Sequence, residues 1–200
     1  ETVHISSDYN HIDCRFPVQS VIRPHTLDNQ DFRGFTGRID GGVFKPGDRV
    51  KTLPSGFVTT IKTIELGGEQ ISEAFAPMSV TMTLQDEIDT SRGDMIVREN
   101  NVPEIGQDLE VLVTWMSSNP LKPRTKVVIK HTTKQCLGMV KELKYKIDIN
   151  TLHRLQDIDT LDMNDIGRIS LRTAKPLFYD VYKKNRQTGS IIIIDEQTNE

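Results

Sequence analysis

The chain lacks any long apolar segment, since its longest aliphatic run is the four-residue stretch Ile191–Ile194. A helix that crosses a bilayer needs about 20 apolar residues, so the sequence predicts no transmembrane helix. A strong excess of charge is also absent, because 25 Lys and Arg face 28 Asp and Glu, for a net charge of −3. This balance gives no overall attraction for phosphate backbones or anionic membranes.

Cysteine is scarce, and the two residues Cys14 and Cys136 show no CxxC spacing. We expect two reduced thiols in a cytoplasmic protein, with a disulfide between them as the open alternative. His4, His11 and Cys14 are close in sequence, but a structural zinc site needs four ligands at short paired spacings, so no metal site is predicted. The chain begins with Glu1, and its polar, acidic start is unlike a secretory signal, which favours a fragment of a longer protein.

Motifs for catalysis are missing from the sequence as well. There is no GxxxxGK[ST] phosphate loop, no GxGxxG before a helix, no HExxH and no GxSxG. Carboxylates cluster at residues 86–89 and 157–165, but both clusters lie in polar, loop-like sequence that is typical of solvated acids. The sequence therefore predicts a chain without a catalytic centre of its own.

Turn signals between short β-type segments are the most abundant feature. Between residues 32 and 98, clusters of Gly, Pro and Asp recur every 8–15 residues and separate apolar, β-branched segments. The second half restarts with period-two alternation at 109–115, and segments 126–132 and 190–195 are apolar enough for buried strands. We predict an all-β protein with two consecutive small antiparallel β-barrels, each with six or seven strands.

A polar stretch with Asn100, Asn101, Pro103 and Gly106 indicates a short linker between the halves. The predicted domains are 14–102 and 103–200, preceded by a lead-in segment, 1–13. Short helical turns are expected only at 69–75 and 176–184. The acidic segment 146–165 is predicted to be a long excursion between two strands of the second barrel, and loops of this kind tend to be functional or mobile.

Two features are candidates for binding. The tripeptide Arg92-Gly93-Asp94 matches a cell-adhesion motif, but it precedes an apolar segment, so we interpret it as a turn that enters a strand. The second feature is a cluster of basic residues within thirteen positions, which we call the basic patch. Its members are Lys122, Arg124, Lys126, Lys130, His131 and Lys134.

Strand geometry points Arg124, Lys126 and Lys130 of the basic patch in one direction. Three interpretations stay open: a solvated face, a docking surface for an acidic partner, or an RNA-binding surface. No aromatic residues interleave these cations, so stacking of bases is disfavoured and nucleic acid is not the expected partner.

Several longer phrases of the sequence carry a family resemblance. They are RFPVQSVIRP (15–24), DFRGFTGRIDGGVFKPGDRVKTLPSG (31–56), EAFAPMSVTMTLQDEIDTSRGDMIV (73–97) and, after residue 145, INTL, NDIGR and the TGS that precedes IIIID. Together they resemble the GTPase subunit (subunit 1) of bacterial sulfate adenylyltransferase, also called ATP sulfurylase, a relative of elongation factor Tu. The resemblance extends from about Cys14 to Asp195.

This resemblance implies barrels like domains 2 and 3 of elongation factor Tu, with 1–13 as the exit from a missing GTP-binding domain. It implies that GTP and magnesium bind in that domain, that ATP binds in a separate catalytic subunit, and that this chain holds no cofactor. In the family, GTP hydrolysis is coupled to synthesis of adenosine 5′-phosphosulfate from ATP and sulfate. The barrels would then dock the catalytic subunit and their own GTPase domain.

The sequence leaves two alternatives open. One is a two-barrel fragment of a translation elongation factor that holds aminoacyl-tRNA, and the other is a free-standing barrel protein with an unrelated ligand. A surface that holds RNA should be clearly basic, and here only the basic patch qualifies. The phrases between 146 and 195, which resemble the sulfate-activating branch, favour the sulfate adenylyltransferase interpretation.

Overall fold

The computed structural model describes residues 9–23 and 32–195. Within these ranges the chain forms sixteen strands and no helix. All of the strand pairs with a defined register are antiparallel, which confirms the predicted all-β class. Among the described residues there is also no helix with the length and apolar character that a membrane crossing needs.

The described residues divide into two compact units. Unit 1 contains the residues up to Glu104 together with Thr132–Lys134 and Phe178–Ser190. Unit 2 contains Ile105–His131, Gln135–Leu177 and the residues from Ile191 onward. The domain limits drawn from the sequence, 14–102 and 103–200, stay a prediction.

Unit 1 is built on ten short strands. They are β1 Arg15–Pro17, β2 Ser20–Ile22, β3 Gly34–Arg38, β4 Val43–Phe44, β5 Arg49–Leu53, β6 Val58–Leu66, β7 Glu69–Gln70, β8 Ala74–Phe75, β9 Ser79–Leu84 and β10 Met95–Arg98. The main sheet has the order β1-β10-β5-β6-β9-β3-β2, with β7 paired to β6, while β4 and β8 form a separate pair.

This sheet closes on itself because its first and last strands are neighbours along the chain. Only Val18 and Gln19 separate β1 from β2. The Val18 N–H donates to the Asp94 carbonyl next to β10, and the Gln19 N–H donates to the Thr36 carbonyl in β3. The core inside contains Phe16, Phe35, Phe44, Ile61, Ile64, Met82 and Ile96. The barrel is thus confirmed, although the main sheet has eight strands instead of six or seven.

Gly42 shows why the turn residues of unit 1 are needed. Its φ is +77°, and a Cβ there would lie 2.5 Å from the Cα of Cys14. Only glycine tolerates both the left-handed backbone and the close approach. The Arg92-Gly93-Asp94 segment is likewise a turn, because the Asp94 carboxylate accepts the Ser91 N–H at 2.8 Å.

A buried ion pair ties the segment Phe178–Ser190 into unit 1. Arg15 is fully buried, and its Nε and Nη2 each donate to one carboxylate oxygen of Asp180 at 2.8 Å. Its Nη1 donates to the carbonyl oxygens of Cys14 and Asn101, so the guanidinium is well satisfied. The Thr188 hydroxyl donates to Asp180 at 2.7 Å. A buried charge of this kind is tolerated only because its partners surround it.

Unit 2 is built mainly on six strands, whose outermost residues at Glu104, Lys134 and Phe178–Tyr179 are counted with unit 1. They are β11 Glu104–Thr114, β12 Lys126–His131, β13 Lys134–Ile147, β14 Arg154–Leu155, β15 Ile166–Tyr179 and β16 Ile192–Asp195. The sheet order is β11-β15-β13-β12-β16, with β14 paired to β13. Alternation along β15 buries Ile169 and Leu171 and exposes Arg168 and Arg172, as expected for a half-buried strand.

Three sequence expectations need correction or refinement. The helical turns predicted at 69–75 and 176–184 are wrong, because 69–75 contains β7 and β8, and 176–184 contains the end of β15 followed by a turn. The excursion 146–165 starts at the last two residues of β13 and ends before β15, and its first part is a hairpin in which Lys146 pairs with Leu155. Farther along it, Leu161 forms a buried bridge with Leu121.

Candidate docking site

Strand β12 of unit 2 places part of the basic patch on the outside of the sheet. Lys126 and Lys130 are exposed, and they alternate with the buried residues Val127, Ile129 and His131. His131 is only 2% exposed, so its ring lies on the inner face and does not belong to the surface that the sequence predicted.

The remaining members of the basic patch lie before and after β12. Lys122 and Arg124 are exposed residues of the turn that precedes it, where Arg124 adopts a φ of +67° and donates its N–H to the Val140 carbonyl. Lys134 is counted with unit 1, and its ammonium lies 4.5 Å from the ring centroid of Phe178 in the same unit. Lys122, Arg124, Lys126 and Lys130 therefore remain as the exposed members of the basic patch in unit 2, and we call them the exposed cluster.

Ion pairing separates the exposed cluster from five other cations of unit 2, which are Lys141, Lys144, Lys146, Arg168 and Arg172. None of its four side chains forms an ion pair with any other described residue. Four cations on β13 and β15 instead pair with two carboxylates of β11. Asp108 accepts from Lys141 at 3.3 Å and from Arg172 at 2.9 Å. Glu110 accepts from Arg168 at 2.8 Å, and hydrogen bonding to this carboxylate raises the pKa of Arg168.

A shallow groove of about 380 Å3 runs beside the exposed cluster, across β12, β13 and β15. The Val140 N–H donates to the Thr125 carbonyl, which brings Lys126 next to Met139, and Met139 lies opposite Arg172 in the sheet. The lining residues are Lys126, Leu137, Gly138, Met139, Arg172, Thr173 and Ala174. The groove therefore combines an apolar floor with cations at its rim.

Comparison with known proteins gives the family. Over 200 residues the chain is 47% identical to a "Bifunctional enzyme CysN/CysC" of Mycobacterium tuberculosis, and the match spans the whole chain and 33% of that protein. It is 44% identical over 199 residues to sulfate adenylyltransferase subunit 1 of Bacteroides fragilis, again over the whole chain and 41% of that protein. The chain belongs to the sulfate adenylyltransferase subunit 1 family. The resemblance found in the sequence is confirmed.

Two further comparisons give a domain match and a fold match. A family model described as GTP-eEF1A C-terminal domain-like matches residues 108–200. The structure of Sup35 complexed with GDP aligns with a TM-score of 0.82 over 94% of this chain and 45% of Sup35, at 15% identity. At that identity the likeness shows the fold alone. The chain spans between about a third and two fifths of the length of the sulfate adenylyltransferase relatives given above.

Several members of the two carboxylate clusters contact other residues of their own unit. Asp86 accepts the Thr59 hydroxyl at 2.7 Å, Asp89 pairs with Arg33, and Asp165 accepts from both Lys146 and the Asp162 N–H. No group of three or more His, Cys, Asp or Glu among the described residues could hold a metal ion. His4 lies outside those residues.

Cys14 and Cys136 are both buried free thiols. The disulfide that the sequence left open is therefore not formed. Burial raises the pKa of the Cys14 thiol, which makes a nucleophilic thiolate at this position unfavourable.

Sequence reasoning located Lys126 and Lys130 but missed the groove beside them. Leu137 and Met139 alternate with Cys136 and Val140 in the sequence, and this pattern alone does not say which pair faces outward. The strand register decides it, because Cys136 and Val140 are buried while Leu137 and Met139 are exposed.

Proposed function

We propose that this chain is the β-barrel part of a regulatory GTPase subunit of sulfate adenylyltransferase in the cytoplasm. That subunit couples GTP hydrolysis to synthesis of adenosine 5′-phosphosulfate from ATP and sulfate. The observation that carries the proposal is the 44–47% identity, over the whole chain, to subunit 1 and to CysN/CysC enzymes. Identity at this level over two complete units favours this role over that of a translation factor.

Within that subunit, we assign the chain a docking role. The catalytic subunit would bind to the exposed cluster of unit 2, while the chain's own GTPase domain would hold GTP and magnesium. The support is electrostatic: most cations on the outer face of β13 and β15 are neutralised by Asp108 and Glu110, whereas Lys126 and Lys130 are left for an external partner. Unpaired surface charge of one sign steers association with an oppositely charged surface.

Charge reversal in the full-length subunit tests this role. We expect the double variant Lys126→Glu with Lys130→Glu to weaken binding to the purified catalytic subunit by about tenfold or more, because two attractions become repulsions. Co-purification and titration at moderate salt would measure the effect. The variant Lys62→Glu with Lys183→Glu is the matched control, since both lysines are exposed residues of unit 1 and the change in net charge is the same.

The comparison between the two double variants decides the outcome. Weaker binding by the β12 variant alone supports docking at the exposed cluster. An equal loss of affinity in both variants would mean that only net charge matters. Unchanged affinity in both variants would mean that the exposed cluster is not part of the interface.

A further inference from the structure

The outer face of β13 changes character along its length. Its exposed positions include Gln135, Leu137 and Met139 toward one end, and Lys141, Glu142 and Lys144 toward the other. The two lysines pair with carboxylates, so that end of the face is electrostatically satisfied within unit 2. The two apolar side chains are 54% and 42% exposed, which leaves a large apolar area in contact with water.

The apolar end of this face lies beside Lys126 of the exposed cluster. Lys126 lines the same groove as Leu137 and Met139, and Lys130 points outward from the same strand as Lys126. Arg172, opposite Met139, is already held by Asp108. Exposed apolar side chains surrounded by polar groups commonly mark a protein interaction site. Here the surrounding groups without an ion-pair partner among the described residues are the positively charged Lys126 and Lys130.

We infer that this groove binds an acidic segment of a partner protein, which seats an apolar side chain between Leu137 and Met139 while its carboxylates face Lys126 and Lys130. This inference rests on the proposed function and adds the chemistry of the docked segment. Charge complementarity selects carboxylates, and the apolar floor selects a protein segment over a polyanion. Nucleic acid fits less well, because the lining residues include no aromatic side chain on which a base could stack.

The charged part and the apolar part of the site should affect different rate constants, which makes the inference testable. Peripheral charges act mainly on the association rate and on its dependence on salt, whereas a buried apolar anchor acts mainly on the dissociation rate. Leu137→Gln with Met139→Gln should therefore raise the dissociation rate from the purified catalytic subunit about tenfold or more. The salt dependence of binding should stay as in the unchanged subunit.

A matched control removes apolar side chains elsewhere in unit 2. Leu112 and Met116 are 60% and 75% exposed and do not line the groove, so Leu112→Gln with Met116→Gln should leave both rate constants unchanged. All variants would be made in the full-length subunit and measured by surface-based kinetics at several salt concentrations. A transfer RNA would be tested in parallel as the competing type of partner.

The possible failures are distinguishable. If the unchanged subunit does not bind the catalytic subunit, the proposed function fails. If binding is intact and only the Lys126 and Lys130 reversals weaken it, the apolar anchor is wrong and the proposed function stands. If transfer RNA binds and the Leu137 and Met139 variant weakens that binding, an acidic protein segment is the wrong occupant.

Discussion

Two aspartates of unit 1 show how strongly local contacts set the charge of a partly or fully buried carboxyl. Burial raises the pKa of Asp13, but hydrogen bonds from Asn101, Lys184 and Asn10 outweigh it and hold the pKa at about 2. No described residue donates a side-chain hydrogen bond to the Asp40 carboxylate in this way. Burial raises the pKa of Asp40 to about 6, and Arg38 only partly opposes the shift. The first carboxylate therefore stabilises the fold near neutral pH, and the second destabilises it.

Replacing Asp40 by Asn should stabilise the protein in a pH-dependent way. The folded pKa of Asp40 lies above that of an unfolded aspartate, so the folded state loses stability as the pH rises from about 4 to about 6. We expect Asp40→Asn to add about 1–2 kcal/mol to the free energy of unfolding at pH 7.5, and close to nothing at pH 4. Calorimetric unfolding at both pH values measures the difference.

Asp13→Asn serves as the opposite control. Because the pKa of Asp13 is lowered, its contribution is present above about pH 4 and disappears as the pH falls toward 2. This variant should lose stability at pH 7.5. A gain from Asp40→Asn that is equally large at pH 4 would contradict the assignment.

Individual residues of the site were predictable from the sequence only where strand alternation decides. Lys126 and Lys130 are four residues apart on β12, which places them on the same face of the strand, and both point outward as expected. His131 is next to Lys130 and so faces the core, which basic composition alone could not reveal. The contact between Arg15 and Asp180 was not predictable at all, since it joins residues 165 positions apart.

At the scale of single elements, the hairpin of β13 and β14 combines order with backbone strain. The Asp148 carboxylate accepts the N–H groups of Asn150 and Thr151, which lowers the pKa of Asp148. The Leu152 N–H donates to the Asp148 carbonyl at 2.7 Å. Leu152 has a φ of +59° and is 76% exposed, so a branched side chain occupies a left-handed position without burying its surface.

Leu152→Asn should stabilise unit 2. Asparagine tolerates the left-handed region better than leucine, whose cost there is about 1 kcal/mol or more, and little packing is lost from an exposed side chain. We expect a gain of about 0.5–1 kcal/mol in the free energy of unfolding. The single tryptophan, Trp115, is buried in unit 2, so its fluorescence during denaturant unfolding reports this unit.

Ile149→Asn is the matched control for this hairpin. Ile149 is 68% exposed and has no positive φ, so the same loss of apolar surface should bring no gain. Equal stabilisation by both variants would show that surface polarity, and not backbone strain, is responsible.

The sequence predicted elements well where they are long and poorly where they are short. The apolar run at 191–194 contributes three residues to β16, which pairs with β12, so the predicted strand is confirmed. The predicted burial is wrong, because no residue of β16 is buried and Ile192 is 58% exposed. Strands β7 and β8 have only two residues each, which is too short for any periodicity, and the segment was mistaken for a helical turn. Pairing with distant strands defines such elements, and a local pattern does not contain that information.

At the scale of the whole molecule, we predict from the family and from the sequence motifs that this chain alone does not bind GTP. The chain contains no GxxxxGK[ST] loop, and we have assigned GTP to another domain of the full-length subunit. Titration of GTP with magnesium into this 200-residue chain should therefore give no saturable heat. The same titration into the full-length subunit should give a saturable signal, which controls for the nucleotide and the buffer.

The comparison of the two titrations separates the parts of the proposal. Saturable binding by the full-length subunit alone places the nucleotide outside these barrels, and the barrels then contribute through their surfaces. Micromolar binding by the isolated chain would place a nucleotide site within the two units. In that case the exposed cluster would be the first region to test. Its members Lys122, Arg124, Lys126 and Lys130 have no ion-pair partner among the described residues. Phosphate groups form strong, charge-assisted hydrogen bonds with such cations.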